Sequence, residues 1–310
     1  MIIVANELVF PLMDKTCHAA HFVVLPGGKI FCVCFRGTRE GENDVRIYGS
    51  MRDPEDGSWS VPQPITEGDG VPHWNPVLFR RADGAVLLFY KVGRLIADWK
   101  TRCMISYDGC ESWSPSFELV PGDESGGRGP VRTKAIYLKD GSILAGGSTE
   151  RGQYKCFFDR SLDGGQTWIR SADLRLEEGN ILQPTVWESA DGVHALMRSD
   201  RGVIYKTDSS DGTRFCDPYP IRMPNNNSGI DVAVLPDGRL VLCCNPVENA
   251  RSPLSLYESR DNGMTFSFLT HLATTPYEFS YPAVQYENGC LHVTYTWRRR
   301  SIQYFCLKDI

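Results

Sequence analysis

The sequence predicts an all-β fold, a six-bladed β-propeller with four antiparallel strands per blade, on the strength of two recurring turns. The first recurs at Gly28, Gly84, Gly141, Gly192, Gly238 and Gly289. In five of the six the glycine follows Asp or Asn (Asp83, Asp140, Asp191, Asp237, Asn288), a dipeptide suited to tight hairpins because both residues tolerate positive φ. The second turn lies roughly twenty residues further on, reads Ser-x-Asp and closes on an aromatic residue, as in Ser161-x-Asp163-x-Gly165-x-Thr167-Trp168. Its logic is structural: the Asp carboxylate accepts backbone N–H groups while the ring packs between outer strands. Two hairpins per repeat make a four-stranded blade, and repeats of this length mark propellers and solenoids.

Each blade can be read in turn. The first has its hairpin at Gly28 and a degenerate second turn between Ser50 and Trp59. The second carries the run Ala85 to Tyr90, whose near-continuous apolarity suits a strand covered on both faces, and then Ser106-x-Asp108-x-x-x-x-Trp113, with Cys110 where the pattern has Gly. The third is the complete copy ending at Trp168, and the fourth is shortened to Ser209-Ser-Asp211-Gly-Thr-Arg-Phe215. The fifth pairs the apolar run Arg239 to Cys244 with Ser259-x-Asp261-x-Gly263-x-Thr265-Phe266. The sixth, from Leu291 to Trp297 and Ile302 to Leu307, is short of strands. The segment Ile2 to Phe10 is expected to complete it and so remove an exposed edge.

Composition fits one propeller domain spanning residues 1–310. Apolar residues make up 42% and charged residues 23%, enough to bury a core. A net charge of -5 without basic runs argues against nucleic acid as a partner. No stretch approaches a membrane span, and the N-terminus lacks the basic and apolar regions of a secretory leader, so cytoplasmic residence is expected. Of eleven cysteines, Cys32, Cys34, Cys243, Cys244 and Cys290 lie in strand-like apolar runs and read as buried free thiols of a reducing compartment. There is no Cys-x-x-Cys, and His73, His194, His271 and His292 lack ligand spacing, so neither a metal nor a cofactor is expected.

In a propeller the start of each inner strand and the end of the second strand share one face. The six starts are His18, Asn75, Lys134, Gln183, Asp231 and Tyr281, and the six ends are Arg39 with Glu40, Lys91, Glu150, Arg198, Asn245 and Arg298. All are polar, which implies a polar cup on the axis. Arg39, Lys91, Lys134, Arg198 and Arg251 add cations in an acidic protein, which points to an anionic ligand.

With its Asp-box turns, and with His73-Trp-Asn-Pro76, Gly127-Arg-Gly-Pro130, Ile181-Leu-Gln-Pro184, Pro224-Asn-Asn-Asn-Ser-Gly-Ile-Asp231, Ser280-Tyr-Pro282 and Tyr295-Thr-Trp297, nearly the whole chain resembles the bacterial exo-sialidase-like proteins with BNR repeats. The resemblance implies a carboxylate clamp of three arginines, a Tyr nucleophile activated by a Glu, and an acid. Arg198 looks like the second clamp arginine, Arg251 like the third and Tyr281 like the nucleophile. His18 stands where the first arginine is matched. Gln183, which cannot accept a proton, stands where the Glu is matched. Glu150 is then the candidate base, and Asp44 or Glu40 the candidate acid. Arg39, Asn75, Lys91, Lys134, Gln183, Asp231 and Arg298 complete the expected substrate-binding set. The function implied is an exo-glycoside hydrolase releasing a terminal acidic sugar (sialic, ulosonic or uronic acid) from an acidic oligosaccharide or glycoconjugate. Elimination on a uronate and glycan binding without chemistry are the alternatives.

Overall fold

Six four-stranded antiparallel sheets stand around a common axis in the computed structural model, which describes residues 1–12 and 15–310. Blade one contains β2 (Thr16–Val24), β3 (Ile30–Gly37), β4 (Arg46–Arg52) and β5 (Gln63–Pro64), with β1 (Ile2–Leu8) reserved for the last blade. Blade two contains β6 (His73–Arg80), β7 (Val86–Val92), β8 (Lys100–Ser106) and β9 (Phe117–Glu118). Blade three has β10 (Ile136–Tyr137), β11 (Ile143–Thr149), β12 (Lys155–Ser161) and β13 (Ile169–Arg170). Blade four has β14 (Ile181–Glu188), β15 (Val193–Ser199), β16 (Val203–Ser209) and β17 (Tyr219–Pro224). Blade five has β18 (Asp231–Val234), β19 (Leu240–Cys244), β20 (Leu254–Ser259) and β21 (Ser267–Ala273). Blade six joins β22 (Phe279–Glu287), β23 (Cys290–Trp297) and β24 (Ser301–Lys308) to β1, which pairs with β24 from Ile2↔Lys308 to Leu8↔Gln303. The N-terminal strand therefore closes the ring, as its sequence suggests. Glu7 ties it to blade one by accepting from Arg52 at 2.7 and 2.8 Å and from Trp59 at 2.9 Å.

The Asp-box turns form as their composition dictates. Asp163 accepts from the backbone of Gln166 and Thr167 at 3.0 and 2.9 Å, and Ser161 Oγ accepts from Gly165 N at 2.7 Å. Asp108 and Asp261 accept the matching N–H of Ser112 and Thr265, each at 2.9 Å. The hydroxyls of Ser112 and Thr167, which also donate to these carboxylates, and then the backbone bonds hold the Asp108 and Asp163 carboxyls down at about 2. Apolar clusters fill the seams between blades. The seam between blades one and two, for example, packs Phe35 edge-on to Trp74 at 5.8 Å.

Inner strands of four blades carry the same irregularity. Ala19, Asn75, Gln183 and Tyr281 have φ of 53°, 43°, 52° and 55°, each where the pairing register shifts. In three of them a proline follows (Pro76, Pro184, Pro282) and gives no N–H to the ladder. Such backbone strain costs on the order of 1–3 kcal/mol per residue and persists only where its surroundings enforce it. Blade three departs from the expectation that its inner strand starts at Lys134. The glycine-rich stretch before it, with positive φ at Gly126, Gly127 and Gly129, leaves β10 only two residues long.

The blades meet on a buried carboxylate. Asp231, fully buried on blade five, accepts from Lys134 Nζ of blade three at 2.9 and 3.0 Å, from Thr185 Oγ1 of blade four at 2.6 Å and from Val284 N of blade six at 2.8 Å. Lys134 and Asp231, both expected as ligand contacts, thus spend their charge on each other. Asp231→Ala strands a lysine and two further donors, and removing one partner of a buried pair costs about 3–5 kcal/mol. Urea unfolding at neutral pH should show that loss, or a chain that no longer folds, with Asp231→Asn milder. A loss within experimental error would show that the pair does not tie the blades.

Candidate functional site

Tyr281 lies at the centre of the site. Its bulge places it on the axis, where Gly229 comes so close that an added Cβ would lie 3.3 Å from the Tyr281 backbone and ring. Three guanidinium groups surround the ring: Arg132, Arg198 and Arg251 have their Cζ atoms 5.3, 5.3 and 5.4 Å from its centroid. Arg198 Nη1 donates to the phenol oxygen at 3.1 Å and to the Asn227 carbonyl at 2.7 Å. His18 packs against the same ring at 4.2 Å and shares a 2.8 Å hydrogen bond with Thr296 Oγ1 through Nδ1. Cations so placed favour negative charge in a ligand above the ring.

Arg132 was not among the residues expected here. It is buried, donates Nη2 to the Pro282 carbonyl, and has no protein partner for Nε or Nη1 among the described residues. Burial lowers it to about 10 against the pull of Asp231 and Tyr281, so it remains a cation at neutral pH. A sequence signal for it existed. Arg132 precedes Gly141 by nine residues, as Asn75 precedes Gly84 and Gln183 precedes Gly192. Lys134, two residues later, occupies the ion pair instead.

Glu278 is the second unexpected member. It accepts from Arg251 at 2.6 Å, from Arg299 at 2.8 Å and from Ser280 at 2.8 Å. Burial pushes its carboxyl up, but the two guanidinium groups and these bonds outweigh burial and hold it below the ordinary range. Arg299 also pairs with Glu40, which fixes Glu40 as a partner of an arginine rather than a free acid. Glu150 is in the opposite condition. It is half-buried, makes no hydrogen bond among the described residues, and is raised by burial despite Arg198.

The other expected residues are dispersed. Asp44 lies in an exposed loop, where bonds from Thr38 and Lys15 overcome burial and keep its carboxyl low, which ill suits a proton donor. Arg39 is exposed and paired with Glu42 at 2.6 Å. Lys91 is buried beneath the cup, donating to Thr101 Oγ1 and the Arg128 carbonyl at 2.7 Å each, and burial lowers it to about 7. It anchors the loop between blades two and three and does not face a ligand. Asn75 and Gln183 are buried on their bulges, and Gln183 Oε1 has no partner among the described residues. Arg298 stacks on Tyr277 at 3.7 Å, on the rim.

All eleven cysteines are free thiols, buried except for Cys216. Cys290, His292 and Cys306 bring their ligand atoms within 4.8 Å of one another, a grouping that strand pairing creates and linear spacing hides. His292 is satisfied there by Tyr304 Oη at 2.7 Å. No helix among the described residues is long and apolar enough to cross a membrane.

The BNR repeat-like domain family matches residues 28–293, and the chain belongs to that family. A search of curated proteins by sequence finds no match. Among solved structures, a protein of unknown function from Dyadobacter fermentans superposes with a TM-score of 0.81 at 16% identity, covering 100% of this chain and 99% of that one. A Hadza microbial sialidase gives 0.79 at 14% identity over 94% of this chain and 66% of its own. The NanB sialidase of Streptococcus pneumoniae gives 0.77 at 14% identity, over 97% and 70%. These likenesses show the sialidase-like propeller fold.

Buried histidines give the site a pH dependence. Burial, then the charges of Arg299, Arg251, Arg132 and Arg198, push His18 well below its ordinary value; burial does the same to His21, and lowers His73 and, to about 4, His292. These rings are neutral when folded but bind protons when unfolded below about 6.5, so unfolding takes up protons and stability falls as the pH is lowered. Urea midpoints should be level above about pH 7 and decline toward pH 5, each such ring steepening the slope by up to about 1.4 kcal/mol per pH unit. A level profile across that window would show that the rings are not shielded.

Proposed function

We propose that this BNR repeat-like propeller is an exo-glycoside hydrolase that releases a terminal acidic sugar, sialic acid or a related ulosonic or uronic acid, from an oligosaccharide or glycoconjugate. The observation that carries the reading is the set of three guanidinium groups, from three parts of the ring, around one tyrosine. Neither Arg132 nor Arg198 hydrogen-bonds a carboxylate among the described residues, which leaves them available to a ligand's carboxylate. In the reaction, the Tyr281 oxygen bonds to the anomeric carbon and gives up its proton to solvent. The glycosidic bond breaks as Glu150, which burial keeps a better proton donor than an ordinary carboxyl, protonates the departing oxygen. Water then cleaves the tyrosyl–sugar bond, its hydroxyl going to the sugar and its proton to Glu150, and the released Tyr281 oxygen regains a proton from solvent. Glu278 stays ionised and holds Arg251 and Arg299 in place.

One observation favours a second reading, elimination on a uronate. Tyr281 Oη has no carboxylate partner among the described residues, so its proton has no anionic acceptor at hand. Such a reaction would need only a proton abstracted beside a carboxylate that the arginines neutralise.

Incubation with sialyl, ulosonyl and uronyl oligosaccharides, with products weighed by mass spectrometry, separates these readings. Hydrolysis adds one water across the fragments and elimination adds none. Arg132→Ala and Arg198→Ala should each lower kcat/KM on the order of 10²-fold or more, as loss of a charge-assisted contact in a transition state does. Unchanged rates in both would sink the clamp. No cleavage of any substrate by folded protein would leave a propeller that binds without chemistry.

A further inference from the structure

One sizeable cavity lies away from the axis. It is a cleft of about 1020 Å³ in the wall between blades one and two, lined by residues of β3 to β5, the β5–β6 connection and the second blade's Asp box. It contains none of the arginines around Tyr281. Its size is that of a small-molecule site rather than a packing defect.

One buried ring nitrogen in this cleft, Nε1 of Trp113, lacks a protein partner among the described residues, and a second, Nε2 of His73, has only the Asp69 carboxylate at the edge of hydrogen-bonding distance. His73 is only 3% exposed; its Nδ1 bonds Thr66 Oγ1 at 2.8 Å, and Nε2 lies 3.4 Å from Asp69 Oδ1. In the complete Asp box of blade three, Trp168 Nε1 donates to the carbonyl of Gly165 at 3.1 Å. In blade two that glycine is replaced by Cys110, held at φ 74°, and the indole N–H forms no such bond. An unsatisfied buried donor costs about 1–3 kcal/mol, so a ligand that accepts from it recovers that cost.

The lining sets the chemistry of that ligand. Glu67, Asp69 and Glu111 face the cleft against one cation, Arg102, which is already engaged with Ser116 at 2.8 and 3.2 Å. An anion would be repelled. An ammonium group offers nothing for the indole N–H, which needs an acceptor. Phe31 lies 6.0 Å from Trp113 at 35°, and the two present an apolar surface beside these polar groups. A neutral pyranose matches both, with its C–H face on the aromatic wall and its hydroxyls both accepting from Trp113 and donating to Asp69 or His73.

We propose that the cleft between blades one and two is a second carbohydrate site, selective for neutral sugar rings, separate from the axial cup. Acidic and neutral units of one glycan would then be recognised at different places on the propeller.

The test uses the full chain and a panel of neutral saccharides: galactose, glucose, N-acetylglucosamine, lactose and cellobiose. The seven tryptophans give seven indole N–H signals in a nitrogen-correlated NMR spectrum, and Trp113→Phe identifies one of them. That signal should shift on titration with at least one neutral sugar and stay still with free sialic acid. Trp113→Phe, which keeps a ring but loses the donor, should weaken that sugar's binding about fivefold to tenfold, as loss of one hydrogen bond does. Asp69→Ala, at an exposed position where folding is not at risk, should weaken it similarly. A Trp113 signal unmoved by the whole panel at saturating concentration would overturn the proposal, as would equal affinity in both variants.

Discussion

A single buried carboxylate holds the inner ring together. Asp231 is bonded to donors from blades three, four and six while belonging to blade five, so four of the six inner strands share one anion. Burying a charge is tolerable only when partners satisfy it, and here three other blades supply partners beside Val232 N of its own blade. The same anion sustains its neighbours' charge. Its field is what opposes burial at Arg132 and keeps that guanidinium ionised on the axis.

The site's electrostatics follow from which cations are already matched. Lys134 is matched by Asp231, while Arg251 and Arg299 are matched by Glu278 and Glu40. Arg132 and Arg198 hydrogen-bond only to carbonyls and the Tyr281 phenol among the described residues, with Asp231 and Glu150 acting on them from further off. Two buried positive charges beside one tyrosine therefore remain for an anion from outside, in a protein whose net charge is -5. The local field, not the total, decides what the cup attracts.

The ring of six blades was legible because it rests on local chemistry repeated six times. Asn-Gly and Asp-Gly turns, apolar inner runs and Asp boxes each specify their own hairpin, and β1 completes the sixth blade as its sequence suggests. Arg198, Tyr281 and His18 were also legible, because each lies at a strand end or bulge fixed by those repeats, and Arg251 because its loop precedes the last Asp box. Arg132 and Glu278 were not, for different reasons. Arg132 lies outside any regular strand in the glycine-rich approach to β10, where the assumed strand start fell on Lys134. Glu278 matters through Arg251 and Arg299, which are 27 and 21 residues away in the chain, and no linear pattern joins them. Lys91 and Asp231 show the converse: polar residues at strand ends were right as to position, but burial turned their side chains to holding blades together.

Two carboxylates near Tyr281 are pushed in opposite directions, and this division bears on what replaces the missing glutamate. Glu278, between two guanidinium groups, is held ionised. Glu150, half-buried and without a bonded partner among the described residues, is raised. A pair of acids separated in this way can divide the work, one keeping its charge to orient cations and the other exchanging a proton. Gln183 cannot take part in proton transfer, but on its bulge it preserves the backbone shape that Asn75 and Tyr281 share. In the proposed reaction the strand geometry is retained while proton transfer falls to Glu150, at the end of a neighbouring strand, whose carboxyl burial raises despite Arg198.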